Sequence, residues 1–198
     1  MALTDFELEK VAERSRCVSL VHERNQPNVL IILKRLRDLV PDARYEVLND
    51  DCFASKEEGR TNCEEKLISL PRSVMENLKK GNPRARLTVM HEIGHLILGH
   101  EGVLSRAQND PRARNSTRVM KFEREAWGFA RAFLAPKRLI EKSMTVQQIS
   151  AKFGISTGVA KIRLEQVQRM NRLENGERRE IPDFVKEFLN DAKKQNPI

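Results

Sequence analysis

Cysteine is scarce in this chain of 198 residues. Cys17, Cys52 and Cys63 are odd in number, widely spaced and without a Cys-x-x-Cys pair. Disulfide frameworks and structural zinc clusters both need closely patterned cysteines, so the sequence excludes both classes of stabilised domain. We therefore expect three free thiols.

The chain also lacks a long apolar run. No stretch approaches the roughly 18 apolar residues of a membrane span, and the first residues, Met1 to Glu7, lack the basic and apolar regions of a signal peptide. These absences predict a cytoplasmic protein without a membrane partner. Internal repeats and low-complexity tracts are missing too, so neither a solenoid nor a disordered chain is indicated.

Basic residues are in excess. The chain has 36 Lys and Arg against 28 Asp and Glu, a net charge of +8, and its pI is about 9.6. A basic surface favours an acidic partner such as nucleic acid, but it identifies none by itself. The length and the 39% hydrophobic content allow one good core, with room for a small appendage.

The most informative motif is the pentapeptide His91-Glu92-Ile93-Gly94-His95. On a helix, its two histidines lie one turn apart on the same face, so both imidazoles can bind one Zn²⁺. Glu92 then lies beside the metal, where its carboxylate can act as a general base. The alternative is two core histidines next to a surface glutamate, which would leave buried polar groups unexplained in an almost wholly apolar helix.

A catalytic zinc site usually has three protein ligands, so one more is expected downstream. His100 is the first candidate. In the metzincin pattern, however, the third histidine falls six residues after the second, where this chain has Glu101. We therefore expect His100 to cap the helix end or to line the cleft.

The predicted helix from Thr117 to Leu134 offers Glu123 and Glu125. At about 100° per residue, its apolar side chains form a broad arc that includes Glu123, whereas Glu125 falls just outside the arc. A carboxylate within an apolar stripe is costly unless it is paired or bound to a metal. The helical phase thus favours Glu123 as the third ligand and predicts that Glu125 is solvated; an exposed ion pair of Glu123 is the alternative.

The remaining pattern predicts an α+β fold, mainly helical with a small antiparallel sheet. A capping box of Thr4 and Glu7 begins a helix that runs to about Arg24. Other predicted elements are a helix over 28–40, strands over 45–48 and 66–70, a metal-motif helix that ends at Gly99, a polar connection over 101–116, two short helices around a Gly154 turn, a linker over 171–180 and a tail helix from Ile181.

Several linked motifs resemble the ImmA/IrrE-type metallopeptidases. They are Ala85-Arg86-Leu87-Thr88 before the His-Glu motif and its extension to His100, Glu123-x-x-Ala126 followed by Phe129-Ala130-x-x-Phe133-Leu134-x-Pro136, and Phe153-Gly154-Ile155-Ser156 followed by Ile162-Arg163-Leu164. The resemblance covers about residues 66 to 168. It implies a zincin-like core whose zinc ligands match His91, His95 and Glu123, with Mn²⁺ as a substitute ion. It also implies a regulatory peptidase that cleaves a helix-turn-helix transcriptional repressor and so derepresses phage, mobile-element or stress genes.

One position departs from the family pattern. The family usually has Asn or Asp directly after Glu-x-x-Ala, where this chain has Trp127. Such a polar side chain can orient a zinc-bound histidine through its second nitrogen, but an indole only donates hydrogen bonds. We expect either that a backbone carbonyl replaces it or that metal affinity and activity are reduced.

The C-terminal part is a second candidate for function. We divide the chain into a peptidase domain with N-terminal helices, 1–143, and a helical unit resembling a helix-turn-helix, 144–198. Residues 131–198 carry 14 Lys and Arg against 8 Asp and Glu, a net +6 that suits DNA. However, Val159 and Ile162 fall one position early relative to a usual recognition helix, so we favour a packing or substrate-docking unit over a DNA-reading one.

Two functions follow from these patterns. One is a zinc endopeptidase that acts on a repressor, and the other is a metal-bearing regulator that binds DNA or a partner and cuts nothing. Glu92 favours the first, since a structural zinc site is closed by four ligands and needs no base. For oxyanion stabilisation the candidates are His100, Tyr45, Arg106 and Arg112. The sequence defines no oligomeric state.

Overall fold

The computed structural model describes residues 2–105 and 117–177, together with Val185. Within these ranges the chain is mainly helical. The helices are α1 (Asp5–Val18), α2 (Val29–Lys34), α3 (Leu36–Leu39), α4 (Arg72–Lys79), α5 (Pro83–Ile97), α6 (Thr117–Leu134), α7 (Val146–Phe153) and α8 (Thr157–Glu174). The predicted tail helix, most of the polar connection, Arg106 and Arg112 lie outside the described residues.

Four strands form one small sheet: β1 (Arg44–Leu48), β2 (Arg60–Asn62), β3 (Leu67–Pro71) and β4 (Val103–Ser105). Their order is β1-β3-β2-β4. The α+β class is confirmed, but the prediction of an antiparallel sheet is wrong, because β1 and β3 pair in parallel while β2 is antiparallel to both β3 and β4. The chain reverses direction between β1 and β2 and again between β2 and β3, so β3 runs in the same direction as β1.

Helix α5 is the buried centre of the fold. The side chain of Asn82 accepts hydrogen bonds from the first backbone N–H groups of α5, and Pro83 occupies its first turn. The helix ends before Gly99, whose φ of +62° is a left-handed conformation that glycine adopts without strain. Its apolar residues Val89, Met90 and Ile93 are fully buried. This burial agrees with the almost wholly apolar sequence of the helix.

Helix α6 has the predicted bounds and packs across α5 on one side and α1 on the other. Close approach to α1 requires Gly128, because a Cβ atom there would lie 2.6 Å from the Leu8 side chain. Phe129 and Phe133 point into the core and are fully buried. Helix α6 is thereby fixed between the N-terminal helix and the helix of the His-Glu motif.

The N-terminal helices are shorter than predicted. The Thr4–Glu7 capping box is present, but α1 ends at Val18, before Leu20 adopts a positive φ of 56°. The single helix predicted over 28–40 is divided into α2 and α3 at Arg35, whose φ of −104° and ψ of 26° leave the helical region. Both predicted bounds are therefore corrected, and the capping box is confirmed.

The last two helices pack onto the rest of the molecule. Gly154 turns the chain between α7 and α8 with a φ of +60°, as predicted. Helix α8 continues to Glu174, so the linker predicted from Asn171 is wrong in its first residues. Ile149 and Phe153 belong to the same core as α1, α5 and α6. This core crosses the predicted domain boundary at 143/144.

Buried arginines reinforce that packing. Arg86 on α5 donates to the carbonyl oxygens of Phe153, at 3.1 Å, and of Gly154. Arg163 on α8 donates to the Ala135 carbonyl at 2.7 Å and pairs with the Glu9 carboxylate on α1. A buried guanidinium needs such partners because water is absent.

The three cysteines are free, as predicted. Cys17 and Cys52 are exposed, while Cys63 is partly buried. Among the helices that the structure describes, none combines the length and the apolar character that crossing a bilayer requires.

Candidate metal centre

Two helices bring the predicted ligands together. His91 and His95, one turn apart on α5, have their Nε2 atoms 3.0 Å from each other. Glu123 on α6 places one carboxylate oxygen 3.3 Å from His91 Nε2 and the other 3.4 Å from His95 Nε2. Among the described residues, this is the group of histidine, cysteine and acidic side chains that is compact enough to hold a metal ion.

The donor set fits a divalent cation such as zinc. Ligands at about 2.0–2.1 Å from a tetrahedral ion lie about 3.3 Å from each other, close to the three separations observed here. When both rings present an unprotonated Nε2, as metal binding requires, their lone pairs repel at such a distance, and a cation between them removes the repulsion. Two imidazoles and one carboxylate also leave a fourth position open, as in catalytic sites.

The charge state of Glu123 suits the same role. Burial raises the pKa of its carboxyl group, but the hydrogen bonds and charges of His91 and His95 outweigh burial and hold that pKa well below its usual value. The Glu123 side chain is 23% exposed, whereas those of His91 and His95 are almost fully buried. The carboxylate therefore stays ionised at the edge of the site, where it can neutralise a cation.

Glu92 is held by the sheet beside α5. Its carboxylate oxygen Oε2 accepts a 2.5 Å hydrogen bond from the Thr61 hydroxyl on β2. The segment before β2 passes so close that a Cβ atom on Gly59 would lie 2.9 Å from the Glu92 side chain. Glu92 is only 4% exposed. Its position is thus fixed by tertiary contacts from a strand that the sequence pattern did not predict.

His100 does not act as a simple helix cap. Its Nδ1 lies 2.8 Å from His95 Nδ1, and its Nε2 lies 3.2 Å from the Glu125 carboxylate. If His95 uses Nε2 for a metal, its Nδ1–H donates to His100, and His100 Nε2–H then donates to Glu125. Burial, together with the neighbouring His95, lowers the pKa of His100 to about 4, so this ring is neutral at pH 7.

The expected solvation of Glu125 is wrong. Glu125 is 2% exposed, and besides His100 it accepts a 2.7 Å hydrogen bond from the backbone N–H of Leu3. Helical phase put Glu125 outside the apolar arc, but the N-terminal segment and α1 cover that side of α6. The pattern of α6 alone predicts that this surface is exposed to solvent, because it takes no account of α1. The contacts that link His95, His100 and Glu125 were therefore not predicted.

Trp127 contacts a predicted ligand directly. Its ring stacks on His91 with centroids 4.0 Å apart and planes inclined by 27°. The Nδ1 atom of His91 is buried and has no hydrogen-bond partner among the described residues. Of the two expectations for this position, a replacement carbonyl is therefore not found in the described part of the chain.

Two of the oxyanion candidates, Tyr45 and His100, lie in the described part of the chain. Tyr45 is in the edge strand β1, packs against the core and is separated by β3 from the strand that contacts Glu92. His100 is committed to His95 and Glu125. Neither side chain is placed to meet a substrate, and the two arginine candidates are not described.

The comparison with protein families agrees with this geometry. Residues 54–165, more than half of the chain, match the IrrE N-terminal-like domain of the peptidase M78 family. The chain belongs to this family. The resemblance noted in the motifs is thereby confirmed, and membership in a metallopeptidase family implies a metal cofactor. Searches among curated proteins and among solved structures found no match.

The matched region of this M78 chain contains the candidate metal centre and all its described contacts except the one with Leu3. His91, His95 and Glu123 lie within it, as do Glu92 and Thr61. It begins before β2, earlier than the motifs alone indicated, and so includes the strand that holds Glu92. The backbone of Leu3, which contacts Glu125, lies outside it.

Proposed function

We propose that this chain is a zinc-dependent endopeptidase. The observation that supports this most directly is the convergence of His91, His95 and Glu123 on two helices, with the buried Glu92 next to His91 in the sequence of α5. Two imidazoles and a carboxylate with an open fourth position are typical of hydrolytic zinc sites. Zn²⁺ is the proposed ion, and Mn²⁺ is a substitute of similar charge.

In the proposed reaction, Glu92 is the general base. A bound Zn²⁺ would polarise the peptide carbonyl and make water more acidic. Glu92 takes a proton from the attacking water as the water oxygen bonds to the carbonyl carbon, and it then returns the proton to the amine nitrogen as the C–N bond breaks. Thr61 holds the Glu92 carboxylate through its hydroxyl, and His91, His95 and Glu123 would hold the ion.

We further propose a helix-turn-helix transcriptional repressor in the cytoplasm as the substrate, as membership in this family suggests. The packed α7–α8 pair would then serve as a docking unit. The alternative, a regulator that binds DNA or a partner without proteolysis, is favoured only by the positive charge of the C-terminal part. One basic residue of α8, Arg163, is buried against Glu9 and Ala135 and so cannot contact DNA.

A cleavage assay tests the proposal. The purified full chain is mixed with the repressor encoded beside its gene, with Zn²⁺ or Mn²⁺, and the products are followed on a gel. The Glu92→Gln variant should lose activity by at least about 100-fold, the usual contribution of a general base. Glu76→Gln, a change at an exposed position on α4, is the matched control and should cut normally.

Two outcomes would contradict this function. Undiminished cutting by the Glu92→Gln variant, or in excess chelator, would exclude the zinc-peptidase mechanism. If the repressor stays intact and the protein instead retards DNA in a salt-dependent way, the non-proteolytic regulator replaces the peptidase.

A further inference from the structure

The two histidines of the metal centre are supported in different ways. His95 has an acceptor for its outer nitrogen, because its Nδ1 lies 2.8 Å from His100 Nδ1. His91 has none among the described residues, although its Nδ1 is buried. Metal-bound histidines usually donate this outer N–H to an acceptor that fixes the ring orientation. The rotation of the His91 ring must therefore be limited by packing.

Trp127 supplies that packing. It lies one turn beyond Glu123 on α6, and its ring covers the face of the His91 ring at a centroid distance of 4.0 Å. The other described ring contact of His91 is an edge contact with His95, whose centroid is 4.5 Å away. An edge contact leaves the face of the imidazole open, whereas a stacked ring resists rotation of that face.

We propose that Trp127 is a positioning residue for His91. Its stacked ring fixes the orientation of His91, whereas a hydrogen bond to His100 fixes the orientation of His95. This inference rests on the proposed metal site and adds a role for a side chain that touches neither substrate nor ion. The flat face of the ring, rather than the indole N–H, is the part that matters. Loss of the face should let His91 adopt other rotamers and should lower metal affinity.

The size of the effect follows from the stacking contact. The free energy of an aromatic stacking contact changes an equilibrium constant by about three- to tenfold. Trp127→Leu, which keeps an apolar side chain without a flat face, should lower metal affinity by about this factor. Trp127→Phe keeps the face and should stay within about twofold of the wild type. Met120→Leu is the matched control, since Met120 is exposed on the same helix.

Metal affinity is measured by competition with a chromophoric chelator, and the site geometry by the absorption spectrum of the Co²⁺-loaded protein. Thermal unfolding of the metal-free variants shows whether each one folds. Trp127 is the only tryptophan in the chain, so its fluorescence reports this one position. Bound Co²⁺ should quench this emission in the wild type and in Met120→Leu, and the Co²⁺ spectrum should change in Trp127→Leu but not in Trp127→Phe.

The outcomes separate this inference from the proposed function. If Trp127→Leu binds metal as tightly as the wild type with the same Co²⁺ spectrum, the positioning role is wrong while the metal site stands. If Trp127→Phe loses as much affinity as Trp127→Leu, stacking is not the cause. Should the wild type bind no metal, or Glu123→Gln bind it unchanged, the proposed site itself is wrong.

Discussion

Replacing His100 with phenylalanine should weaken metal binding, although His100 is not one of the proposed ligands. The change removes the acceptor for His95 Nδ1–H and the donor to the Glu125 carboxylate. Outer partners of this kind contribute about 10- to 100-fold to metal affinity. That range corresponds to about 1.4–2.8 kcal/mol of binding free energy.

The same substitution should also lower the stability of the metal-free protein. Glu125 would keep the Leu3 backbone N–H at 2.7 Å and Lys121 at 3.9 Å, but it would lose a buried donor. Leaving a buried charged group without one of its partners costs about 1–3 kcal/mol. Phenylalanine can still stack on Phe122, as His100 does at a centroid distance of 4.3 Å, so the packing loss is small.

The assay combines chelator competition with thermal unfolding of the metal-free protein. His100→Gln should restore much of both properties, because its amide oxygen can accept from His95 while its NH₂ group donates to Glu125. Combining His100→Phe with Glu125→Met should recover part of the stability but not the metal affinity, because it removes the unpaired buried carboxylate but also the acceptor of the Leu3 backbone N–H.

The result that would refute this reasoning is unchanged affinity in His100→Phe. Equal losses in His100→Gln and His100→Phe would also refute it, since the glutamine amide can make both hydrogen bonds. In either case His100 would fill space beside the metal centre without orienting His95.

Two other predictions concern the neighbourhood of the site. Thr61→Val removes the hydroxyl that holds Glu92 and should lower turnover by about tenfold or more at nearly unchanged substrate KM. Thr61→Ser keeps the hydroxyl and should keep most of the activity. Unchanged turnover in Thr61→Val would show that this contact does not position Glu92. Burial raises the pKa of Cys63 to about 12. A maleimide or disulfide reagent at pH 8 should therefore label the exposed Cys17 and Cys52, and it should react with Cys63 only after unfolding or well above that pH. Rapid labelling of all three cysteines in the folded protein would contradict this prediction.

Much of the local structure follows from the sequence. The i, i+4 spacing of His91 and His95 puts them on one helical face whatever surrounds the helix. The capping box at Thr4 and the bounds of α6 depend on residues within a few positions of one another, so their prediction needs no tertiary information. Glu123 was chosen by the same short-range phase, and the structure brings it to both histidines.

The direction of β1 and β3 was not predictable in this way. Alternation marks a strand but does not determine its neighbour, and the short β2 between them carries little pattern of its own. Because β2 was missed, its contact with Glu92 was missed as well. The hydrogen bond from Thr61 to the proposed base Glu92 therefore follows only from the tertiary structure, in which β2 lies beside α5.

The sequence by itself determined which side chains can meet a metal ion, because their spacing along two helices is a short-range property. Only the tertiary structure decided what surrounds them. Glu125 is buried because the backbone of Leu3, more than a hundred residues away in the sequence, covers it. His91 stacks on Trp127 because α6 crosses α5 at this position. Such contacts depend on how helices pack, which the phase of any single helix does not specify.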